Sequence, residues 1–280
     1  MNDLFTRFRM YPVIDGGYSM SYMVDSMLIL IEARYNDGNA SKIRKELELT
    51  GMNRIALLHI SHWDESRCRA GELENLLKTL TPSEIEVPAA LPDSDEMRQC
   101  KKIIQQYCKD NPYVSCFECG PSTLKNPSEL PDAKFIDLIL SPVPKTGKKE
   151  SVVVKLFQEG KFSVLNASRS VLAEHVATDL VGTGLSKSVD VLVTETSLEE
   201  RGPYISELFI TQIRPRIVIM LGKRIKVYKA KDASMERLGI SVICNENEGI
   251  IIKYGSPNKR QDTKSDSSVF VGSDEYVNVK

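Results

Sequence analysis

Short apolar runs and helical-period runs alternate along this chain, and their order is the first guide to its fold. Residues 5–13 and 26–33 have the composition of strands, with an Asp15-Gly16-Gly17 turn between them. The apolar stretch 20–33 is broken by Asp25, which fits a buried strand and is too short for a bilayer span. Residues 41–49 carry helical spacing, with Asn39 or Ser41 as N-cap and Gly51 as stop. Residues 55–60 read as a buried strand, 70–80 as an amphipathic helix and 85–87 as a short strand. Met97, Ile104 and Cys108 predict a helix over 95–109. Strands at 113–117 and 135–140 flank a proline-rich loop, 121–131. A tight hairpin follows, with strands at 151–157 and 162–165 around Gln158-Glu159-Gly160-Lys161. The remainder reads as helices at 171–180 and 204–213, strands at 189–194 and 216–221, a helical turn at 235–238, and a closing hairpin of 241–244 with 249–254. Hairpins first, then strand–helix units, then a hairpin again predict an α/β fold of two sheets sandwiched between helices. Residues 1–254 are expected to form one domain, and the polar, aperiodic segment 255–280 a flexible tail.

Composition narrows this picture by exclusion. At 280 residues the chain can bury a substantial core. Lys plus Arg number 37 against 38 Asp plus Glu, so no large polyanion-binding field is expected. No signal-peptide pattern opens the sequence, and six scattered cysteines fit reduced thiols, so a cytoplasmic protein without membrane insertion is expected. Cys116-x-x-Cys119 lacks the second knuckle that would make it a zinc ribbon, and these cysteines are read as buried thiols. No Walker or Rossmann fingerprint occurs. Basic residues gather at Lys145, Lys148 and Lys149 and again around Arg224, Lys226, Lys229 and Lys231. Phosphate contacts from Lys145, Lys148, Lys149 and Arg224 would suit nucleic acid, but with Tyr228 the only aromatic nearby a solvated face is favoured.

Chemistry concentrates after the strand at 55–60, in Ser61-His62-Trp63-Asp64-Glu65-Ser66-Arg67. Imidazole and carboxylate at the end of a strand and just before a helix suit metal ligation. Arg67 cannot ligate a cation and repels one. His59 is read as a satisfied core or packing histidine, and His175 as structural.

These motifs resemble the metallo-β-lactamase-fold superfamily, in the branch of the soluble domains of ComEC-type DNA-uptake channels, over roughly residues 5–254. Ser61 to Arg67 matches that branch's Ser-His-x-Asp-x-Asp-His, with Ser66 and Arg67 replacing its last two ligands. Val24-Asp25-Ser26 matches a Gly-Asp-Ser, and Asn36-Asp37-Gly38-Asn39 is aligned with an Ile-Asp-Gly-Gly turn. Lys148-Lys149-Glu150-Ser151 loosely matches an Asn-x-x-Ser. Asn166 falls where the family's bridging Asp stands, Glu195-Thr196 where it has His-His, and Arg214-Pro215 keeps its late strand signature. Glu195 would thus take the place of a ligand and could join His62 and Asp64 in an oxygen-rich site for a single Mg²⁺ or Mn²⁺. An ion pair of Arg67 with Asp64 or Glu195 is the favoured alternative, because an unpaired buried charge is costly. The resemblance implies a four-layer αββα sandwich with a degenerate metal site. Asp37, Glu65, Arg67, Asn166 and Thr196 would line the pocket, and His62, Asp64 and Glu195 would be the candidate ligands and catalytic groups. With most ligand positions lost, the expectation is no cofactor and no hydrolysis. The protein would instead bind a protein partner or sense a ligand within a prokaryotic nucleic-acid-processing or antiviral defence assembly. The alternative is a one-metal nuclease or phosphoesterase.

Overall fold

The computed structural model describes residues 6–24, 27–119, 135–140, 154–159, 162–167, 189–195, 214–221, 226–229, 241–243 and 249–254. The chain divides into two compact units, one of Met1–Val87, Leu91–Glu118 and Asn247–Lys280, the other of Pro88–Ala90 and Cys119–Glu246. Among the described residues no helix is long and apolar enough to cross a membrane.

The first unit is built on a seven-stranded sheet. Its strands are β1 (Thr6–Met10), β2 (Met20–Val24), β3 (Met27–Ile31), β4 (Leu57–His59), β5 (Glu84–Pro88), β6 (Ser115–Cys119) and the late β14 (Ile250–Tyr254), in the spatial order β14-β1-β2-β3-β4-β5-β6. β14, β1, β2 and β3 pair antiparallel, whereas β3, β4 and β5 run parallel. Parallel neighbours need crossovers, and α1 (Ala40–Thr50) and α2 (Ala70–Leu80) supply them, with α3 (Asp95–Asp110) leading from β5 to β6. α1 ends where Gly51 takes up φ 71° and donates its N–H to Glu48 O, a left-handed stop that glycine adopts without a Cβ penalty. At the start of α3, Ser94 accepts from Met97 N, and Asp95 and Glu96 complement the helix dipole.

Alternation along each strand assigns its two faces. Leu28, Leu30, Leu58, Ile85 and Val87 pack with Ile43, Leu73, Leu76, Leu77, Met97 and Ile104 of the three helices into one core. Phe8, Met10, Met20, Tyr22, Ile29 and Ile31 occupy the opposite face and are also buried. That double burial explains why the first strands read as continuous apolar runs with no visible polar face. It also explains a missed element: β2 and β3 are separate strands, where the pattern had predicted one beginning at residue 26. Buried polar groups on the helical face are paired, since Arg7 and Arg9 both reach Glu46 of α1 and Tyr11 Oη lies 2.7 Å from Ser21 Oγ. Burial, with the Glu46 charge, pushes the Tyr11 hydroxyl far above its usual range.

The second unit carries the other seven-stranded sheet. It comprises β7 (Phe135–Leu140), β8 (Val154–Glu159), β9 (Phe162–Ala167), β10 (Val191–Glu195), β11 (Ile217–Leu221), β12 (Lys226–Lys229) and β13 (Ser241–Ile243), in the order β13-β12-β11-β10-β9-β8-β7. β8 and β9 form the predicted tight hairpin, closing at Glu159 opposite Phe162. β9, β10 and β11 are parallel. At their amino ends Asp190 accepts from Ser163 N (2.9 Å) and from Arg216 Nη1 (3.1 Å), tying three strands through one carboxylate. The predicted closing hairpin does not form. β13 pairs with β12, and β14 pairs antiparallel with β1 in the other sheet, setting Phe8 opposite Ile252 and Met10 opposite Ile250. The helices expected at 171–180 and 204–213, the helical turn at 235–238, and the tail 255–280 lie outside the described residues.

A candidate site closed by two buried arginines

The carboxyl ends of β3, β4 and β5 converge on the segment Ser61–Arg67, at the end of a parallel sheet where ligands usually bind. Ile60 N donates to Glu86 O (2.9 Å) and Glu32 N to His59 O (2.8 Å), which carries the ladder one step past each strand. The chain then leaves the sheet and folds into a turn organised by Asp64. Its carbonyl accepts from Arg67 N and Cys68 N, both at 3.0 Å, and its Oδ1 accepts from Ser66 N (2.9 Å) and from Ser66 Oγ. This is an Asx turn, for which Asp and Ser are suited by their short polar side chains.

Arg67 fills the centre. Its side chain is almost wholly buried, at 2 % exposure. One Nη1 donates to Asp64 Oδ2 and, at 3.0 Å, to Ser66 Oγ; Nε donates to Ser61 Oγ at 3.3 Å and lies 3.6 Å from Glu32 Oε1. Its guanidinium carbon stands 5.4 Å from the Tyr18 ring centroid, within cation–π range. Asp64 therefore has both carboxylate oxygens engaged. Burial opposes its ionisation, but Arg67, the Ser66 bonds and His62 together hold its pKa below the ordinary value.

Behind this pair lies Glu32, fully buried, with an unusual φ of 65° for a residue bearing a Cβ. Its carboxylate accepts from Ser61 N (3.1 Å) and from Ser61 Oγ. Burial raises its pKa, and Arg67, His59 and the Ser61 bonds offset only part of that rise. His59 Nδ1 lies 2.9 Å from Glu86 Oε2, so the histidine read as a satisfied core or packing residue is buried and bonded to a carboxylate.

A second buried arginine, Arg34, closes the site from the side. It grips Glu72 in a bidentate pair, Nε to Oε2 and Nη2 to Oε1, each 2.9 Å. It also donates to Asp15 Oδ1 (2.6 Å), Gly16 O (2.6 Å) and Glu65 O (3.0 Å). These bonds hold residues 15–18 over the Asp64 turn, where Tyr18 N donates to Ser66 O (2.7 Å) and Arg69 adds a contact to Asp15. The fit requires glycine at 17: with φ 108°, an added Cβ would stand 2.3 Å from Arg34 Nη1 and 2.5 Å from Ser66 O.

The predicted residues are distributed as follows. His62 and Asp64 are partly buried beside Arg67, and the Glu65 side chain is exposed while its carbonyl serves Arg34. Asp37, expected in the pocket, is instead exposed in the turn before α1, and the acid that meets Ser61 is Glu32. The segment Ile31-Glu32-Ala33-Arg34, not Asn36–Asn39, thus occupies the turn after β3. Asn36 and Asn39 bond the local backbone there, with Asn39 Oδ1 accepting from Asn36 N at 2.9 Å. Asn166 is buried near the end of β9, and Glu195 ends β10. Glu195 is described in its backbone alone, and Lys145, Lys148, Lys149, Thr196 and Arg224 lie outside the described residues. Sequence reasoning missed Glu32, Arg34, Tyr18 and Gly17. The available signal was a charged Glu32-x-Arg34 directly after a wholly apolar strand, where unpaired charge would be costly.

A dinuclear metal centre does not fit these residues. Both carboxylate oxygens of Asp64 are engaged by donors, the guanidinium of Arg67 brings fixed positive charge to it, and neither Ser66 nor Arg67 is a suitable ligand. Among the described residues no three His, Cys, Asp or Glu side chains form a group able to hold a metal ion.

No family model and no curated protein matches the sequence. Solved structures similar to the chain are metallo-β-lactamase-fold proteins. YhfI from Bacillus subtilis, a metallo-β-lactamase-fold protein, is 9 % identical, with a TM-score of 0.49 over 77 % of this chain and 86 % of its own. The short form of human tRNase Z is 11 % identical, with a TM-score of 0.47 over 77 % of this chain and 92 % of its own. Igni18, a metallo hydrolase from Ignicoccus hospitalis, is 11 % identical, with a TM-score of 0.47 over 89 % of this chain and all of its own. The fold of this chain is α/β, built on two seven-stranded sheets.

Proposed function

We propose that this is a non-hydrolytic protein of metallo-β-lactamase fold, in the ComEC-like branch, that works by binding a protein partner or sensing a ligand. The observation that supports this reading is the Arg67 guanidinium seated on Asp64, with Glu32 behind it. A hydrolase of this type needs an open coordination position and an activated water beside its ligands. Here a permanently charged side chain takes that space, and Arg stays protonated at any physiological pH. Arg34 reinforces the arrangement by drawing residues 15–18 over the same turn. Both changes favour a closed, rigid surface over a reactive cleft. A role in a prokaryotic nucleic-acid-processing or defence assembly follows from the sequence resemblance.

The test combines metal titration with turnover. Calorimetric titration with Mn²⁺ should show no tight binding by the unmodified protein, and bis-p-nitrophenyl phosphate should not be cleaved with Mn²⁺, Mg²⁺ or Zn²⁺ present. Tight binding together with phosphodiester cleavage that is lost in His62→Ala would overturn the reading in favour of a one-metal hydrolase.

A further inference from the structure

We infer that Cys108 and Cys116 form a reversible redox pair, a modification site on the α3–β6 face of the first unit. Four of the five described cysteines fall into two contacting pairs of opposite accessibility. Cys68 and Cys100 share a hydrogen bond inside the core, both fully buried. Cys108 and Cys116 share another, with the Cys116 S–H donating to Cys108, but here Cys116 is exposed and Cys108 half-buried. All four are free thiols.

The backbone holds the outer pair in place. Cys108 lies in the last turn of α3, and Cys116 is the second residue of β6, an edge strand of its sheet. The connection between them is short and bonded throughout. Asn111 N donates to Tyr107 O (3.0 Å), Val114 N to Asn111 O (2.9 Å) and Ser115 N to Ser83 O (3.1 Å). A second rung repeats the contact along the same faces, with Lys101 Nζ 2.8 Å from Glu118 Oε1. Lys101 and Cys108 are two helical turns apart, and Glu118 and Cys116 two strand residues apart, so both rungs face one another. Helix and edge strand thus bring the two side chains into hydrogen-bond contact, the approach from which a disulfide forms.

The reaction is an exchange with a low-molecular-weight disulfide such as oxidised glutathione. Cys116, the reachable thiol, loses its proton to solvent and attacks one glutathione sulfur, releasing a glutathione thiolate. Cys108 then attacks the sulfur of Cys116 in the mixed disulfide, forming the Cys108–Cys116 bond and releasing the second glutathione. Two thiols are oxidised, one disulfide is reduced, and the two protons lost by the cysteines pass to the two leaving thiolates. Burial keeps both thiols above their ordinary range, so the exchange is slow at neutral pH and quickens as pH rises.

The test uses the full chain, incubated at pH 8.5 with oxidised or reduced glutathione, alkylated in the native state, and mapped by peptide mass spectrometry. The expected result with oxidised glutathione is a peptide cross-linked through Cys108 and Cys116, lighter by two hydrogens, that disappears on reduction. Cys68 and Cys100 should remain reduced in the same sample. Cys108→Ser should stop the reaction at a glutathione adduct on Cys116. If the unmodified protein also stops at that adduct, joins two chains through Cys116, or leaves both thiols alkylatable, the pair is not a redox site. Equal oxidation of Cys68–Cys100 would overturn it too, since it would trace the reaction to opening of the core.

Discussion

Replacing Arg67 by Met should be one of the most destabilising single changes in this protein, and the cost should depend on pH in a direction set by Glu32. Methionine keeps much of the apolar volume of the arginine stem and removes only the guanidinium. What remains is a fully buried Glu32 with Ser61 as its donor and the His59 contribution in place of the Arg67 guanidinium. Breaking a buried pair by removing one member typically costs about 3–5 kcal/mol, because the other charge is left uncompensated. The Asp64 side of the loss is smaller, since that carboxylate keeps its Ser66 donors and is 30 % exposed. Glu32 can escape part of the penalty by taking up a proton. Its folded pKa already stands above the ordinary carboxyl value, so its contribution to stability is full below that value and is lost as pH rises through the folded pKa. Losing Arg67 raises that pKa further, so the variant should be relatively more stable at pH 5 than at pH 7, with a slope of at most about 1.4 kcal/mol per pH unit from this group.

Urea unfolding at pH 5 and pH 7, followed by circular dichroism, reads both effects. A double-mutant cycle with Glu32→Gln isolates the pair. The doubly substituted protein should regain most of the loss, because a neutral amide can still accept from Ser61 N, with a coupling energy of about 2 kcal/mol or more. A loss below about 1 kcal/mol in Arg67→Met, or a coupling near zero, would show that Arg67 does not compensate Glu32 and would undo the electrostatic account of the closed site.

Other outcomes follow from the same geometry. Arg34→Met should cost about 3 kcal/mol or more in urea unfolding, because Glu72 loses a bidentate partner, and amide hydrogen exchange at residues 16–18 should speed up. Gly17→Ala should destabilise more than Gly16→Ala: the latter meets open space at φ 82° and should cost about 1–2 kcal/mol, while the former adds a clash with Ser66 O; equal melting temperatures would contradict this. Asp64 and Glu72 have folded pKa values below ordinary, so their contributions are present above the unfolded value and lost as pH falls through the folded one. An acid transition beginning below about pH 4 is therefore expected, and Arg34→Met should weaken its Glu72 part. A strong chelator should leave the melting temperature unchanged within about 1 °C, since a structural metal would contribute to folding directly.

Much of the first unit was legible because its elements depend on local pattern. The helix at 70–80 and the start of the one at 95 follow from apolar spacing, and both match the structure. The strand at 135–140 matches as well. What escaped was non-local. Gly249–Tyr254 looks like the second arm of a hairpin, because its partner β1 lies more than two hundred residues earlier and no local signal points there. The division between β2 and β3 was hidden by burial on both faces, which erases the polar alternation that marks strand ends. In the site, His62, Asp64 and Arg67 were found through one contiguous motif. Glu32 and Arg34 come from another strand end, and Asp37 is expected in the pocket only through the alignment of Asn36-Asp37-Gly38-Asn39 with an Ile-Asp-Gly-Gly turn.

The charged residues around this turn depend on one another. A glutamate at 32 reaches one methylene farther than an aspartate would and bonds Ser61, but it is too buried to stand without a countercharge. Arg67 provides that charge and engages Asp64 at the same time. Arg34, two residues from Glu32, then needs carboxylates of its own, and Glu72 and Asp15 supply them. Asp15 can do so only because Gly16 and Gly17 let the backbone turn at positive φ against Arg34 and Ser66. No single substitution should create a metal-binding arrangement: a histidine at 67 would leave Glu32 without its permanent cation and Arg34 still drawing the 15–18 segment over the turn. Metal binding gained by Arg67→His alone, measured by Mn²⁺ calorimetry, would show that these residues are independent. Binding that appears only when Glu32, Arg34, Ser66 and Arg67 are changed together would show that the closed site is one interlocked unit.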